Sequence, residues 1–166
     1  MVNRRILIIL AALLSVAACS RVANVPIPDD TTLIMLRHAD RDDALLNEKG
    51  RARAVALVDA LDGVAIDAIY SPNIQRNLDT AAPLAAARGM EILRTNRVGA
   101  AEAFLDIVAA SSGQTIVWIG NKDNLVPIWE ALALDHPAPV EYGDLFIVEG
   151  RPGAVAQVTR LRFGPD

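Results

Sequence analysis

A chain of 166 residues with 52% apolar and 22% charged residues has the size and composition of one folded domain, and 10 glycines with 9 prolines are no excess, which sets aside collagenous, repetitive and disordered classes. A formal charge of −4, dispersed along the chain, argues against nucleic acid as the main partner, because phosphate backbones select basic faces. The single cysteine excludes an intrachain disulfide and any site built from several thiolates.

The chain opens on an address. Arg4 and Arg5 precede an unbroken apolar run from Ile6 to Leu14, and small residues then lead up to Cys19. This is the layout of a secretory signal, with an apolar run too short for a comfortable membrane span. Val16-Ala17-Ala18-Cys19 resembles the bacterial lipobox, in which the cysteine is acylated and becomes the mature N-terminus; a buried apolar helix with a chance cysteine is the alternative. The resemblance implies a signal peptide over 1–18 and a periplasmic domain held to the membrane through Cys19. Ser20 stands where an aspartate would resemble an inner-membrane retention signal, which favours the outer membrane. Loss of Arg4 and Arg5 would leave 14 basic against 20 acidic residues. Residues 19–30, with two prolines, two aspartates and no amphipathic period, suit a short tether, so the folded domain is expected over 31–166.

The apolar run at 31–36 predicts a strand in the buried centre of a sheet. After a polar loop, residues 48–61 predict a helix with Ala52, Val55, Ala56, Leu57 and Leu61 on its inner face and Asn47 as N-cap. The alternation continues with a strand at 67–71, a helix over 73–88, a short strand at 90–93 and a helix over 99–110. A second buried strand follows at 115–119, then a helix over 124–133. Strands at 145–149 and 155–162 are joined by a turn at Arg151-Pro152-Gly153. This pattern predicts a three-layer α/β fold: a mostly parallel sheet with helices on both faces and an antiparallel strand near the C-terminus. Trp118 and Trp129 are expected in its core.

In such sheets ligands bind beyond the carboxyl ends of the strands. The first strand ends in Leu36-Arg37-His38-Ala39-Asp40, the second in Tyr70-Ser71-Pro72 with Arg76 soon after, and the buried strand at 115–119 in Gly120-Asn121-Lys122-Asp123-Asn124. Two guanidinium forks, an imidazole and an amide converging there make a compact cradle for phosphate. A histidine in it can attack phosphorus while the arginines neutralise the charge on the phosphoryl oxygens. This chemistry requires no metal or cofactor, and no clustered His and carboxylate spacings call for one.

Leu36-Arg37-His38-Ala39-Asp40, the segment Leu46-Asn47-Glu48-Lys49-Gly50-Arg51-Ala52-Arg53-Ala54, and Tyr70-Ser71-Pro72 through Arg76 with Asp79-Thr80-Ala81 resemble, in that order, the motifs of the histidine phosphatase (phosphoglycerate mutase-like) superfamily, and the chain's length resembles its short bacterial branch with secreted relatives. The resemblance implies His38 as nucleophile and Arg37 and Arg76 as holders of the phosphoryl group. Asn121 stands where the family places a second histidine, and is expected to give the substrate a neutral hydrogen bond in its place. Lys122 would restore the missing charge if it turned inward. His136 reads as an exposed loop residue. The family's proton donor has three candidates here, Glu102, Asp40 and Asp123, or none; Asp40 and Asp123 could instead orient Arg37, Arg76 or Lys122.

The expected function is hydrolysis of a phosphate monoester or phosphoamidate through a phosphohistidine on His38, slowed by Asn121. The alternative is a catalytically degenerate domain that binds a phosphorylated ligand or a protein at the cell envelope. The partner is a small phosphorylated substrate or a phosphoprotein, and nothing in the sequence speaks to oligomeric state.

Overall fold

Alternate residues of the first strand, β1 (Thr32–Arg37), serve two separate cores. Leu33 and Met35 pack with Phe104, Trp118, Ile128, Trp129 and Phe146, while Ile34 and Leu36 pack with Leu57, Leu61, Leu84, Ile119 and Leu145. A strand whose successive side chains point to opposite faces can do this only in the middle of a sheet covered on both sides. The computed structural model describes residues 24–166; the stretch 1–18, expected to be a signal peptide, and Cys19 lie outside the described residues.

After β1 the chain forms β2 (Arg41–Asp42), β3 (Leu45–Leu46), α1 (Glu48–Ala60), β4 (Ala68–Pro72), α2 (Gln75–Arg88), β5 (Ile92–Thr95), α3 (Ala100–Ala109), β6 (Thr115–Gly120), α4 (Lys122–Ala131), β7 (Asp144–Glu149) and β8 (Gln157–Arg162). The main sheet has the order β5-β4-β6-β1-β7-β8. The first four are mutually parallel, β7 runs antiparallel to β1, and β8 antiparallel to β7. Helices α1 and α2 pack together over one face, α3 and α4 over the other. This is the three-layer α/β architecture expected from the sequence. Among the described residues no helix is long and apolar enough to cross a membrane.

The register sets where chemistry can gather. Arg37 lies opposite Gly120, and Pro72 opposite Thr95, so β1, β6, β4 and β5 finish along one edge. Because β7 runs the other way, with Leu145 opposite Leu36, it brings its beginning to that same edge.

Several expected details shift. The polar loop after β1 contains the two-residue hairpin β2–β3. In α1, Ala52 and Val55 face solvent; Val55 is 60% exposed, and the buried positions are Gly50, Arg53, Ala54 and Leu57. The helix is turned this way because its first turn sits on the Asp40 backbone, where a Cβ on Gly50 would lie 1.9 Å from the Asp40 carbonyl oxygen. Asn47 caps it as expected, its side chain accepting the Gly50 N–H at 2.9 Å. β5 begins at Ile92 rather than Met90, because the Met90 N–H is still bonded to the Ala85 carbonyl and closes α2 beyond the left-handed Gly89. Helix α4 starts two residues earlier than expected, at Lys122, with Asn121 as its cap. Of the stretch read as a tether, Val25 and Ile27 pack against the core, and the Val25 N–H bonds the Ala131 carbonyl at 2.8 Å.

Candidate active site

His38 is the first residue beyond β1, its N–H bonded to the Gly120 carbonyl at 2.8 Å, and it is only 1% exposed. Its Nδ1 lies 2.8 Å from the Ala39 carbonyl oxygen. A carbonyl only accepts, so Nδ1 carries the proton and Nε2 carries the lone pair. The Nε–H of Arg76 donates to that Nε2 at 3.0 Å. Burial lowers the His38 pKa to about 4, with the charges of Arg76, Arg37 and Arg41 adding to the shift and the Ala39 hydrogen bond opposing it. At neutral pH the imidazole is therefore uncharged with a free-base Nε2 at the sheet edge, the state a nitrogen nucleophile needs.

Arg76 stands in the first turn of α2, one turn before Thr80. The Thr80 hydroxyl accepts the Ala39 N–H at 2.9 Å and donates to the Arg76 carbonyl at 2.8 Å, so a single turn of helix presents Arg76 and holds the histidine loop. Arg37 is half-buried. It donates to the Val140 carbonyl at 2.8 Å and the Tyr142 hydroxyl at 3.3 Å, and its guanidinium lies 4.2 Å from the centre of the Tyr142 ring. Its buried Nε has no partner. Tyr142 also approaches His38, with ring centres 5.8 Å apart.

Burial lowers the pKa of Arg76, and repulsion from Arg41, Arg97 and Arg37 contributes in the same direction. Among the described residues none of these four arginines forms an ion pair. The result is a cluster of positive charge with no ion-pair partner among the described residues, a field that attracts anions. Tyr142, Arg41 and Arg97 were not singled out in the sequence. Arg97 follows β5 and Arg41 follows β1, so the strand-end rule could have found both; Tyr142 required knowing that β7 is reversed.

Asn121 is the first residue after β6, at the N-cap of α4, and is 9% exposed. Its Oδ1 accepts from the Asn77 amide at 3.2 Å and the Asn124 amide at 2.8 Å. Lys122 and Asp123 both face solvent on the first turn of α4, and Lys122 does not turn inward to replace a histidine's charge. Glu102 is exposed in the first turn of α3. His136 is exposed in the loop after α4, where its carbonyl accepts the Trp129 indole N–H at 2.7 Å. Both tryptophans are buried as expected, Trp118 stacked on Phe104 and Trp129 edge-on to Phe146.

Asp40 departs from both roles considered for it. Its carboxylate pairs with Arg53 at 2.6 Å and lies 3.9 Å from Lys49, and it orients none of Arg37, Arg76 or Lys122. Burial alone would raise its pKa, but the hydrogen bond and charge of Arg53 outweigh this and hold it below the ordinary carboxylate range. An acid held ionised has no proton to give a leaving group at neutral pH. Arg53, almost fully buried, also donates to the carbonyls of Phe163 and Pro165, which ties the histidine loop to the end of the chain. Among the described residues no three His, Cys, Asp or Glu side chains gather as a metal site.

Comparison with known proteins bears on the fold and on part of the sequence. Residues 34–99, which hold Arg37, His38 and Arg76 but not Asn121, match the family model of the histidine phosphatase superfamily (branch 1). The fold is similar to that of YhfR from Bacillus stearothermophilus, with a TM-score of 0.63 and 22% identity over 78% of this chain and 95% of that one. It is also similar to the protein assigned as phosphohistidine phosphatase SixA from Agrobacterium tumefaciens, with a TM-score of 0.61 and 19% identity over 82% and 99% of the two chains. A third similar structure is the native mycobacterial glucosyl-3-phosphoglycerate phosphatase, with a TM-score of 0.61 and 16% identity over 81% and 99%. No curated protein matches the sequence.

Proposed function

We propose, from the match of residues 34–99 to the histidine phosphatase family model and the similarity of the fold to solved structures, that this chain is a phosphohydrolase that works through a phosphohistidine on His38 and needs no metal. The observation that carries the reading is the state of His38: buried, uncharged, its Nδ1–H engaged by the Ala39 carbonyl and its Nε2 turned toward Arg76.

The chemistry follows from that state. In the free site the Arg76 Nε–H rests on the lone pair of Nε2. An arriving phosphoryl group offers that guanidinium stronger, charged acceptors, and transfer of Arg76 to a phosphoryl oxygen frees the lone pair. Nε2 then attacks phosphorus in line with the leaving oxygen or nitrogen. The bond to the leaving group breaks with its electron pair, and a phosphoryl–Nε2 bond forms. Arg37 and Arg76 bear the charge on the phosphoryl oxygens, and the amide nitrogen of Asn121 adds a neutral donor. Throughout, the Ala39 carbonyl keeps its bond to Nδ1–H and steadies the positive charge on the ring. Water then attacks phosphorus, the phosphorus–nitrogen bond breaks, and His38 returns to its neutral form with inorganic phosphate as product.

With Asp40 held ionised and, among the described residues, no acid bonded to His38 or Arg76, acidic phosphomonoesters and phosphoamidates with good leaving groups are the favoured substrates, because such groups depart with little help from a general acid. Small phosphorylated molecules and phosphoproteins both fit that description. The resemblance of Val16 to Cys19 to a lipobox supports a domain on the periplasmic side, held to the membrane by an acylated Cys19. Labelled palmitate entering the wild-type chain but not Cys19→Ser is the expected result.

The activity is tested by incubating the full chain with an aryl phosphate in the presence of chelator and trapping the acid-labile phosphoenzyme. Wild type is expected to turn over and to be labelled, and His38→Ala to lose both by about 10³-fold or more. Turnover that persists in His38→Ala overturns the mechanism. Phosphate binding without turnover or labelling selects the degenerate binding domain instead.

A further inference from the structure

Three asparagine side chains meet at the end of β6, and their chemistry leaves only one consistent orientation for each. Trp118 Nε1 can only donate, and it points at Asn124 Oδ1 at 3.2 Å; the backbone N–H of Asn121 donates to the same oxygen at 3.2 Å. The amino group of Asn124 is thereby turned toward Asn121. On the other side, the Ile119 carbonyl can only accept, and it takes the Asn77 amino group at 3.1 Å. That amino group therefore also faces Asn121. Two amino groups, one from α2 and one from α4, end on the single atom Asn121 Oδ1. If the Asn121 carboxamide flipped, its own amino group would confront two others and both hydrogen bonds would be lost. The opposite end of the carboxamide, Nδ2, has no partner among the described residues and is not sealed from solvent.

We propose that Asn77 and Asn124 are positioning residues that lock the Asn121 carboxamide so that its N–H, and never its carbonyl oxygen, is presented to the incoming phosphoryl group. The inference rests on the reading of this edge as a phosphoryl pocket. Asn121 follows Gly120, which lies beside Arg37 in the sheet, and Asn77 follows Arg76 on α2, so the locked amide borders the edge that carries both arginines. Gly120 is part of the device, since a Cβ there would lie 2.3 Å from Asn124 Oδ1 and 2.6 Å from Trp118 Nε1.

The lock has a definite physical consequence. A free carboxamide would have to be ordered, N–H toward the anion, at the moment of binding. A locked one is a pre-oriented donor that carries no charge and does not titrate. Histidine at 121 would not be a simple gain, because a ring nitrogen in one tautomer accepts one hydrogen bond where Oδ1 now accepts two.

The test is a double-mutant cycle on the binding of orthovanadate and inorganic phosphate to the full chain, measured by calorimetry, with Arg76→Ala as the control for the pocket. Wild type is expected to bind both anions, and Arg76→Ala to lose them. Asn121→Ala should weaken binding about 10- to 100-fold, as for loss of a bond to a charged acceptor. Asn77→Ala should weaken it about 3- to 10-fold in the wild-type background but less than about 2-fold in Asn121→Ala, because it acts through that side chain. If Asn77→Ala does not fold, Asn77→Ser, whose hydroxyl is too short to reach Asn121, takes its place in the cycle. Equal effects of the Asn77 change in the two backgrounds, or none in either, overturn the lock. So does an Asn121→Ala protein that binds like wild type while Arg76→Ala does not. A wild-type protein that binds neither anion overturns the pocket itself, and the lock with it.

Discussion

Two neighbouring strands end side by side and are finished by opposite means. Beyond β1, the loop from Arg37 to Asp40 is held by charge: Asp40 pairs with the buried Arg53, which grips the carbonyls of Phe163 and Pro165. Beyond β6, the stretch from Gly120 to Asn124 is held by neutral amides and one indole. The first arrangement satisfies a buried guanidinium and fixes the nucleophile's loop firmly. The second gives a side chain a direction without adding charge to an edge already rich in arginine. Rigidity at the nucleophile and polarity at its neighbour thus have different chemical origins, and substitutions should separate them.

The largest separation comes from Asp40→Ala, which leaves Arg53 buried with carbonyls alone. Loss of about 3–5 kcal/mol of stability is expected in urea unfolding, as when one member of a buried pair is removed. A loss no greater than for a surface ion pair would erase the contrast.

A smaller effect distinguishes the two ends by pH. The His38 pKa is depressed to about 4 in the folded chain against an ordinary 6.5, so the unfolded state takes up a proton first as pH falls. His38 therefore costs no stability above pH 6.5, and its cost grows as pH falls from 6.5 to 4, to about 2–3 kcal/mol. Asp40, depressed below its ordinary value, adds to acid lability only below about pH 4. His38→Gln should flatten the segment between pH 6.5 and 4 and leave the lower one; an unchanged profile would show that His38 is not buried uncharged.

Smaller still, Asn47→Ala removes the cap that starts α1 beside the Asp40 loop and should cost about 1 kcal/mol. A thermal melt compared with the wild type reads it directly. The effect should leave anion binding intact, in contrast with Asn77→Ala.

The sequence made the histidine half of the site legible because its parts are close along the chain or repeat a pattern. His38 follows an apolar run of strand length, Asn47 precedes a helix by one residue, and Arg76 and Thr80 are four apart on one helix. The inner face of α1 is not legible from polarity, which places Gly50 and Arg53 outside although both are buried. A glycine at a close backbone approach and an arginine over a carboxylate are both buried for reasons that hydropathy does not record.

Residue order by itself determined the alternation of strands and helices, and therefore a sheet with two covered faces, because side-chain periods of two and of about three and a half follow from local backbone geometry. It determined equally that Arg37 and His38 would leave the end of a buried strand. Tertiary structure alone decided what they meet there. Tyr142 comes to Arg37 across 105 positions because β7 is reversed, and Asn77 reaches Asn121 across 44 because α2 passes the end of β6. Which way an amide points is set by the partners around it, and those partners are brought together only when the sheet closes its layers.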